Sequence, residues 1–97
     1  MQYDWDWEKA AANESKHDEV SFYDAVDALN DFNAADAYDQ KHSLYEHRFN
    51  VIGLSQRGLL FVVFTQPADD LIHIISARLA DAEEKAVYER ELFRTNS

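Results

Sequence analysis

The sequence has no cysteine, one proline and two glycines among its 97 residues. The absence of cysteine excludes a disulfide framework and thiolate metal sites, and it fits a cytoplasmic location. So few glycines and prolines leave little room for long, irregular loops. No apolar run approaches the length of a membrane span, and the polar, acidic start has no apolar signal-peptide core. We therefore expect a cytoplasmic protein without membrane contact.

Basic residues are also scarce, at nine against nineteen acidic ones, for a formal net charge of −10. Residues 1–47 hold twelve acidic and three basic side chains (−9), whereas residues 48–97 hold seven and six (−1). Phosphate neutralisation supplies much of the affinity for nucleic acid, so an anion-binding surface is expected only around Arg48, Arg57 and Arg78. The acidic half serves either solubility or contact with a basic protein partner.

Apolar residues make up 46% of the chain and aromatic residues 13%, which is enough for the core of one small domain. Tyr3–Trp5 predicts a short strand, and Asp6 then offers an N-cap for a helix over Trp7–Lys16. Ser21 and Asp24 form a capping-box pattern ahead of a second helix. The apolar residues of that helix recur with helical spacing, at Phe22, Ala25, Val26 and Leu29.

Three further segments predict strands, at Arg48–Leu54, Leu59–Phe64 and Leu71–Arg78. Six consecutive apolar residues make Leu59–Phe64 the candidate for a central strand that is covered on both faces. The stretch from Asp36 to His47 has the least defined pattern, and it has room for a short additional strand.

A third helix is predicted to begin at Asp81, to have Glu84 in its first turn and to run to about Phe93. Its buried side is expected to contain Ala82, Ala86 and Phe93, with Val87 beside them. The order is then β-α-α-β-β-β-α, a single α+β domain over residues 1–97 with a small antiparallel sheet. The two N-terminal helices cover one face, so the other face needs the third helix, a second copy of the chain or a partner protein.

Several short motifs follow one another along the chain: Trp5-Asp6-Trp7-Glu8-Lys9-Ala10, Asn13, Lys16-His17, His42-Ser43, Glu46-x-Arg48-Phe49, Ile52-Gly53-x-Ser55, Gly58-x-Leu60 and Ile72-His73-Ile74-Ile75-Ser76-Ala77-Arg78. In this order and spacing, the set resembles the BrnT-type toxins of bacterial type II toxin–antitoxin pairs, from about Tyr3 to Glu89. The resemblance implies a RelE-like fold, metal-independent cleavage of mRNA and neutralisation by a DNA-binding antitoxin. It implies no cofactor.

RNA cleavage without a metal needs a base for the 2′-hydroxyl, a cation for the charged phosphorane and an acid for the leaving oxygen. Glu46 and Arg48 are two residues apart, so on a strand they face the same side and together supply a base and a phosphate clamp. The structural alternative for this pair is an exposed ion pair, which contributes little to stability.

Arg78 ends the last predicted strand, where its guanidinium is expected to act as a second phosphate clamp at the rim of a face shared with Ile72 and Ile74. The structural alternative is a salt bridge from this arginine to Asp81 or Glu84. With the resemblance, His42 or Tyr88 is expected as the acid or a positioning group. The four histidines lack the spacing of metal ligands, so no metal site is expected.

The chain departs from the family pattern mainly by losing positive charge: the family favours arginine where Leu59 and His73 stand, and a basic residue where Leu79 stands. It also usually has glycine at Asp18 and proline at Trp7. We therefore consider two hypotheses. One is a BrnT-like mRNA endonuclease that an antitoxin neutralises, and the other is a non-catalytic interaction module on the same scaffold that binds a basic protein partner. A metabolic enzyme has no motif in its favour.

Overall fold

A mixed five-stranded sheet organises the chain in a computed structural model that describes residues 1–37 and 48–96, with side chains up to residue 93. In chain order the elements are β1 (Gln2–Trp5), α1 (Trp7–Lys16), α2 (Phe22–Leu29), β2 (Ala35–Ala37), β3 (Arg48–Ser55), β4 (Gly58–Ala68), β5 (Leu71–Leu79) and α3 (Ala82–Asn96). None of these helices is long and apolar enough to cross a membrane.

The strands lie in the order β1-β5-β4-β3-β2, so the predicted central position of β4 between β3 and β5 is confirmed. The α+β fold class is confirmed as well. The sheet differs from the predicted antiparallel one in that β1 pairs with β5 in parallel, while the remaining pairs are antiparallel. A short additional strand, β2, lies at the opposite edge. Sequence patterns identify strands, but they do not name the partner of a strand that is distant in the chain.

The two N-terminal helices pack on one face of the sheet and form the larger core. Asp6 caps α1 by accepting backbone N–H groups of its first turn, and Ser21 and Asp24 make the predicted capping box of α2. The core side of α2 consists of Phe22, Ala25 and Ala28, which are almost completely buried. Burial of a side chain as large as Phe22 contributes about 1.5–3 kcal/mol to folding.

α2 approaches β3 closely because Gly53 has no side chain. A Cβ atom at this position would collide with the backbone carbonyl of Ala28. Gly58 is needed for a different reason, since it has open space around it but adopts a φ of 109° in the turn between β3 and β4. The Ser55 hydroxyl stabilises that turn by accepting the N–H of Arg57 at 3.1 Å and donating to the carbonyl of Gly58 at 2.9 Å.

Asn13 closes the edge of β5 beyond the point where β1 ends. The two strands pair only as far as Trp5 and Ile74. The buried carboxamide of Asn13 then accepts the N–H of Ala77 at 3.0 Å and donates to its carbonyl at 2.8 Å. It also donates to the carbonyl of Val20 at 3.0 Å. This side chain therefore satisfies buried backbone groups as a neighbouring strand would, and it fixes α1 to the sheet.

α3 packs on the opposite face, but through a different side from the predicted one. The prediction is wrong for three residues that are exposed, namely Ala82, Ala86 and Phe93. The buried contact is made instead by Tyr88, with Val87 and Leu92 partly buried beside it. The helix turns this way because Glu84 faces inward to bind Arg78, whereas the predicted stripe was chosen from apolar residues alone.

The two glycines allow a matched test of the contact between α2 and β3. We expect Gly53→Ala to lower the free energy of unfolding by about 3 kcal/mol, because the added methyl group meets a backbone carbonyl that cannot move aside. Gly58→Ala should cost about 1 kcal/mol, from the positive φ alone. Urea denaturation of both variants measures the difference. Equal losses would contradict the inference that steric contact dominates at Gly53.

Candidate functional site

The register of the sheet places Arg48 and Arg78 on the same face, which is the face on which α3 packs. Arg48 lies opposite Thr65 on β4, and Arg78 lies opposite Phe61 on the same strand. Residues four apart on a strand point to one side. Four residues along the strand and two strands across correspond to roughly 16 Å between the two Cα atoms. Two further predicted site residues lie outside the described residues, Glu46 and His42.

A bulge in β5 determines which residues accompany Arg78. The pairing shifts between Val63 and Phe64, so that Ile75 is an extra residue in the ladder. Before the bulge, Ile72 and Ile74 face α1 and α2, and after it Ala77 does so. The expectation that Arg78 shares a face with the two isoleucines is therefore wrong, because a bulge reverses the alternation of side chains.

One row of directly opposed residues crosses four strands on the α3 face. It consists of Arg48 on β3, Thr65 on β4, His73 on β5 and Asp4 on β1, and we call it the Arg48 row. His73 Nδ1 and Asp4 Oδ1 are 2.6 Å apart. Neither His73 nor Asp4 is among the site residues predicted from the sequence. The only signal was a histidine in a strand, and its partner is 69 positions away.

Arg78 forms a two-pronged ion pair with Glu84, with Nη1 to Oε1 at 2.7 Å and Nη2 to Oε2 at 2.8 Å. The same carboxylate accepts the backbone N–H of Asp81, which completes a capping box at the start of α3. The guanidinium also stacks over the Phe61 ring at 4.3 Å. The hydrogen bond and charge of Glu84 raise the pKa of Arg78 against the opposing effect of burial. The salt bridge from Arg78 to Glu84, which was the structural alternative for this arginine, is thus present. It joins β5 to α3.

Tyr88 is buried, and its hydroxyl donates to Asp31 Oδ2 at 2.6 Å. Burial and this hydrogen bond raise the pKa of Tyr88 to about 12. Burial acts to raise the pKa of Asp31 as well, but hydrogen bonds from Tyr88 and from the backbone N–H groups of Asn33 and Leu54 lower it. A phenol held in this way is a weak acid at neutral pH, so the geometry favours a structural role for Tyr88.

Arg57, the third arginine considered above, lies at the turn between β3 and β4, with its Nε 3.7 Å from Asp24 Oδ2. It belongs to the α1–α2 side and does not join the Arg48 row. Within the described ranges, no group of three or more histidine, aspartate or glutamate side chains is arranged to hold a metal ion.

Removing the Tyr88 hydroxyl tests its structural role. We expect Tyr88→Phe to lower the free energy of unfolding by about 2 kcal/mol at pH 7, because Asp31 loses a hydrogen bond to a charged group. Above pH 10 the unfolded chain releases the Tyr88 proton, whereas the folded chain keeps it to about pH 12. The free energy of unfolding of the wild-type chain should therefore fall as the pH rises through this range. That of Tyr88→Phe should fall less. Chemical denaturation at several pH values measures both effects, and identical pH dependence would contradict them.

Three comparisons with known proteins bear on the family. The comparison with curated proteins gives no match. The chain is similar to the crystal structure of the Brucella abortus ribonuclease toxin BrnT, at 24% identity and a TM-score of 0.62, over 84% of this chain and 97% of that one. This likeness concerns the fold. A family model described as the ribonuclease toxin BrnT of type II toxin–antitoxin systems matches residues 5–84. The resemblance found in the sequence is therefore confirmed, and the chain belongs to the BrnT family of ribonuclease toxins.

Proposed function

We propose that this chain cleaves mRNA in the bacterial cytoplasm without a metal ion, on the sheet face that carries Arg48 and Arg78. The observation that supports this most directly is the register, which puts both arginines on one face although the chain has a formal net charge of −10. Helices α1 and α2, with their four carboxylates, lie on the other face. The sheet thus separates Arg48 and Arg78 from these carboxylates, while α3 on their own face carries four others, at Glu83, Glu84, Glu89 and Glu91.

In this proposal Arg48 stabilises the charged phosphorane and Glu46, two residues earlier, removes the proton of the 2′-hydroxyl. Arg78 contacts a neighbouring phosphate, because the register separates its Cα atom from that of Arg48 by roughly 16 Å. An RNA phosphate must compete with the Glu84 carboxylate for that guanidinium, since both ligands use the same fork of N–H donors.

Salt dependence of RNA binding tests the two arginines separately. Each lost phosphate contact should reduce the slope of log K against log salt by about 0.7 for single-stranded RNA. We expect this change for Arg48→Gln and for Arg78→Gln, measured by fluorescence anisotropy with a labelled mixed-sequence RNA. Arg57→Gln is the matched control and should leave the slope unchanged, because Arg57 lies on the α1–α2 side.

Glu84→Gln separates the two roles of Arg78. If Arg78 contacts phosphate, loss of the competing charge should strengthen RNA binding, while Arg78→Gln weakens it. If Arg78 only joins β5 to α3, both variants should lower the melting temperature and neither should alter the salt slope. Induced expression in a bacterium then links binding to growth arrest. A wild-type chain that neither cleaves RNA nor arrests growth would contradict the proposed function and favour the non-catalytic interaction module.

The antitoxin partner that the family implies is proposed to contact the acidic α1–α2 side with basic residues. A cleft of about 180 Å³ lies there, lined by Trp5, Trp7, Glu14, Tyr23 and small or buried neighbours. Trp7 is 66% exposed and Tyr23 is 63% exposed, which is unusual for large aromatic residues. Aromatic faces next to a carboxylate favour arginine or lysine side chains. A second copy of the chain is the alternative occupant, and light scattering distinguishes a homodimer from a complex.

Truncation of Trp7 tests this surface. We expect Trp7→Ala to weaken binding of the cognate antitoxin at least tenfold, roughly the effect of removing an aromatic interface anchor. Binding of the wild-type chain should also weaken as salt screens the acidic residues. Titration calorimetry measures both effects. Phe32→Ala is the matched control, because Phe32 is 94% exposed but lies outside the cleft. Equal affinities for the two variants would contradict the proposed surface.

A further inference from the structure

A histidine–aspartate pair lies in the same row as Arg48. His73 is 36% exposed and Asp4 is 55% exposed, so the pair borders solvent. An ionised carboxylate only accepts hydrogen bonds, and therefore the His73 Nδ1 atom, 2.6 Å from Asp4 Oδ1, carries a hydrogen. The other ring nitrogen, Nε2, is then the atom that exchanges protons with a ligand.

Thr65 separates His73 from Arg48 in this row. Two strand spacings put the Cα atoms of His73 and Arg48 about 10 Å apart, with the short threonine side chain between them. The short Thr65 side chain therefore lies between two longer ones in this row. Its hydroxyl is a further hydrogen-bond donor.

We propose that His73, held by Asp4, is the general acid of RNA cleavage, and that Arg48 and Thr65 hold the scissile phosphate beside it. This inference rests on the proposed function. It supplies the group that the site otherwise lacks among the described residues, because the Tyr88 hydroxyl is bound to Asp31 on another part of the face. An exposed ion pair contributes little to the free energy of folding, so stability alone is a weak explanation for the His73–Asp4 pair.

The reaction is a transesterification. The base removes the proton of the 2′-hydroxyl, the 2′-oxygen forms a bond to phosphorus, and the bond from phosphorus to the 5′-oxygen breaks. The protonated His73 ring gives its Nε2 proton to that departing oxygen, so the products are a 2′,3′-cyclic phosphate and a 5′-hydroxyl. His73 is left neutral and regains a proton from water. Asp4 on β1 and Arg48 on β3 are the charged described groups in its row.

The test first maps the cleavage site of the wild-type chain on a mixed-sequence RNA and then measures single-turnover rates on an oligonucleotide with that site. We expect His73→Gln to slow cleavage about 100-fold or more, with RNA affinity unchanged within about threefold because no phosphate contact is lost. The decline of the rate at high pH should disappear with the histidine. Asp4→Asn should give an intermediate loss, and His17→Gln, at the C-terminal end of α1, is the matched control.

A substrate with sulfur in place of the departing 5′-oxygen identifies the step. A thiolate leaves without a proton, so His73→Gln should cleave this substrate as fast as the wild-type chain does. Failure of the sulfur substrate to restore the rate, or an unchanged rate of His73→Gln on ordinary RNA, would overturn the assignment while leaving the nuclease function intact. A wild-type chain that cleaves no RNA would instead overturn the proposed function itself. The melting temperatures of His73→Gln and Asp4→Asn verify that both variants fold.

Discussion

The hydrogen bonds of Asn13 hold the rest of the architecture in place. β5 has β1 as its neighbour only as far as Ile74, and at Ala77 the strand edge would otherwise be an unpaired backbone beneath α1. One carboxamide supplies both the donor and the acceptor that a strand would supply, and its second N–H donor reaches Val20 in the loop that leads to α2. The positions of α1, α2 and β5 are therefore set together, and α2 in turn rests on β3 at Gly53.

As a result, the two faces of the sheet differ in what they carry. The α1–α2 face carries the larger core and the four carboxylates of these two helices. On the opposite face, α3 covers the region around Ile52 and Phe61, while the Arg48 row lies farther along the strands. A net charge of −10 is compatible with RNA binding only where arginines outweigh the carboxylates close to them, because phosphate responds to local charge within a Debye length of roughly 8–10 Å.

Several motif positions that carry the family resemblance have structural roles. Asn13 completes the β5 edge, Gly53 admits α2, and Ser55 with Gly58 forms the turn between β3 and β4. These residues account for how the chain keeps this fold. His73 also has a defined place in it, beside a carboxylate partner in Asp4.

The sequence by itself determined the α+β class, the central β4 and the capping box of α2, because these depend on residues only a few positions apart. It also placed Arg48 and Arg78 on separate strands, and the expectation that they share one surface depended on the family resemblance and not on strand alternation. Tertiary structure decided the parallel pairing of β1 with β5, the β5 bulge that turns Arg78 to the side of His73, and the rotation of α3 toward Glu84. Arg78 and Glu84 are only six positions apart, but other decisive contacts join residues 57 to 69 positions apart, such as Tyr88 with Asp31 and His73 with Asp4. Local periodicity carries no information about such pairs, since they form only when strands and helices from distant parts of the chain pack together.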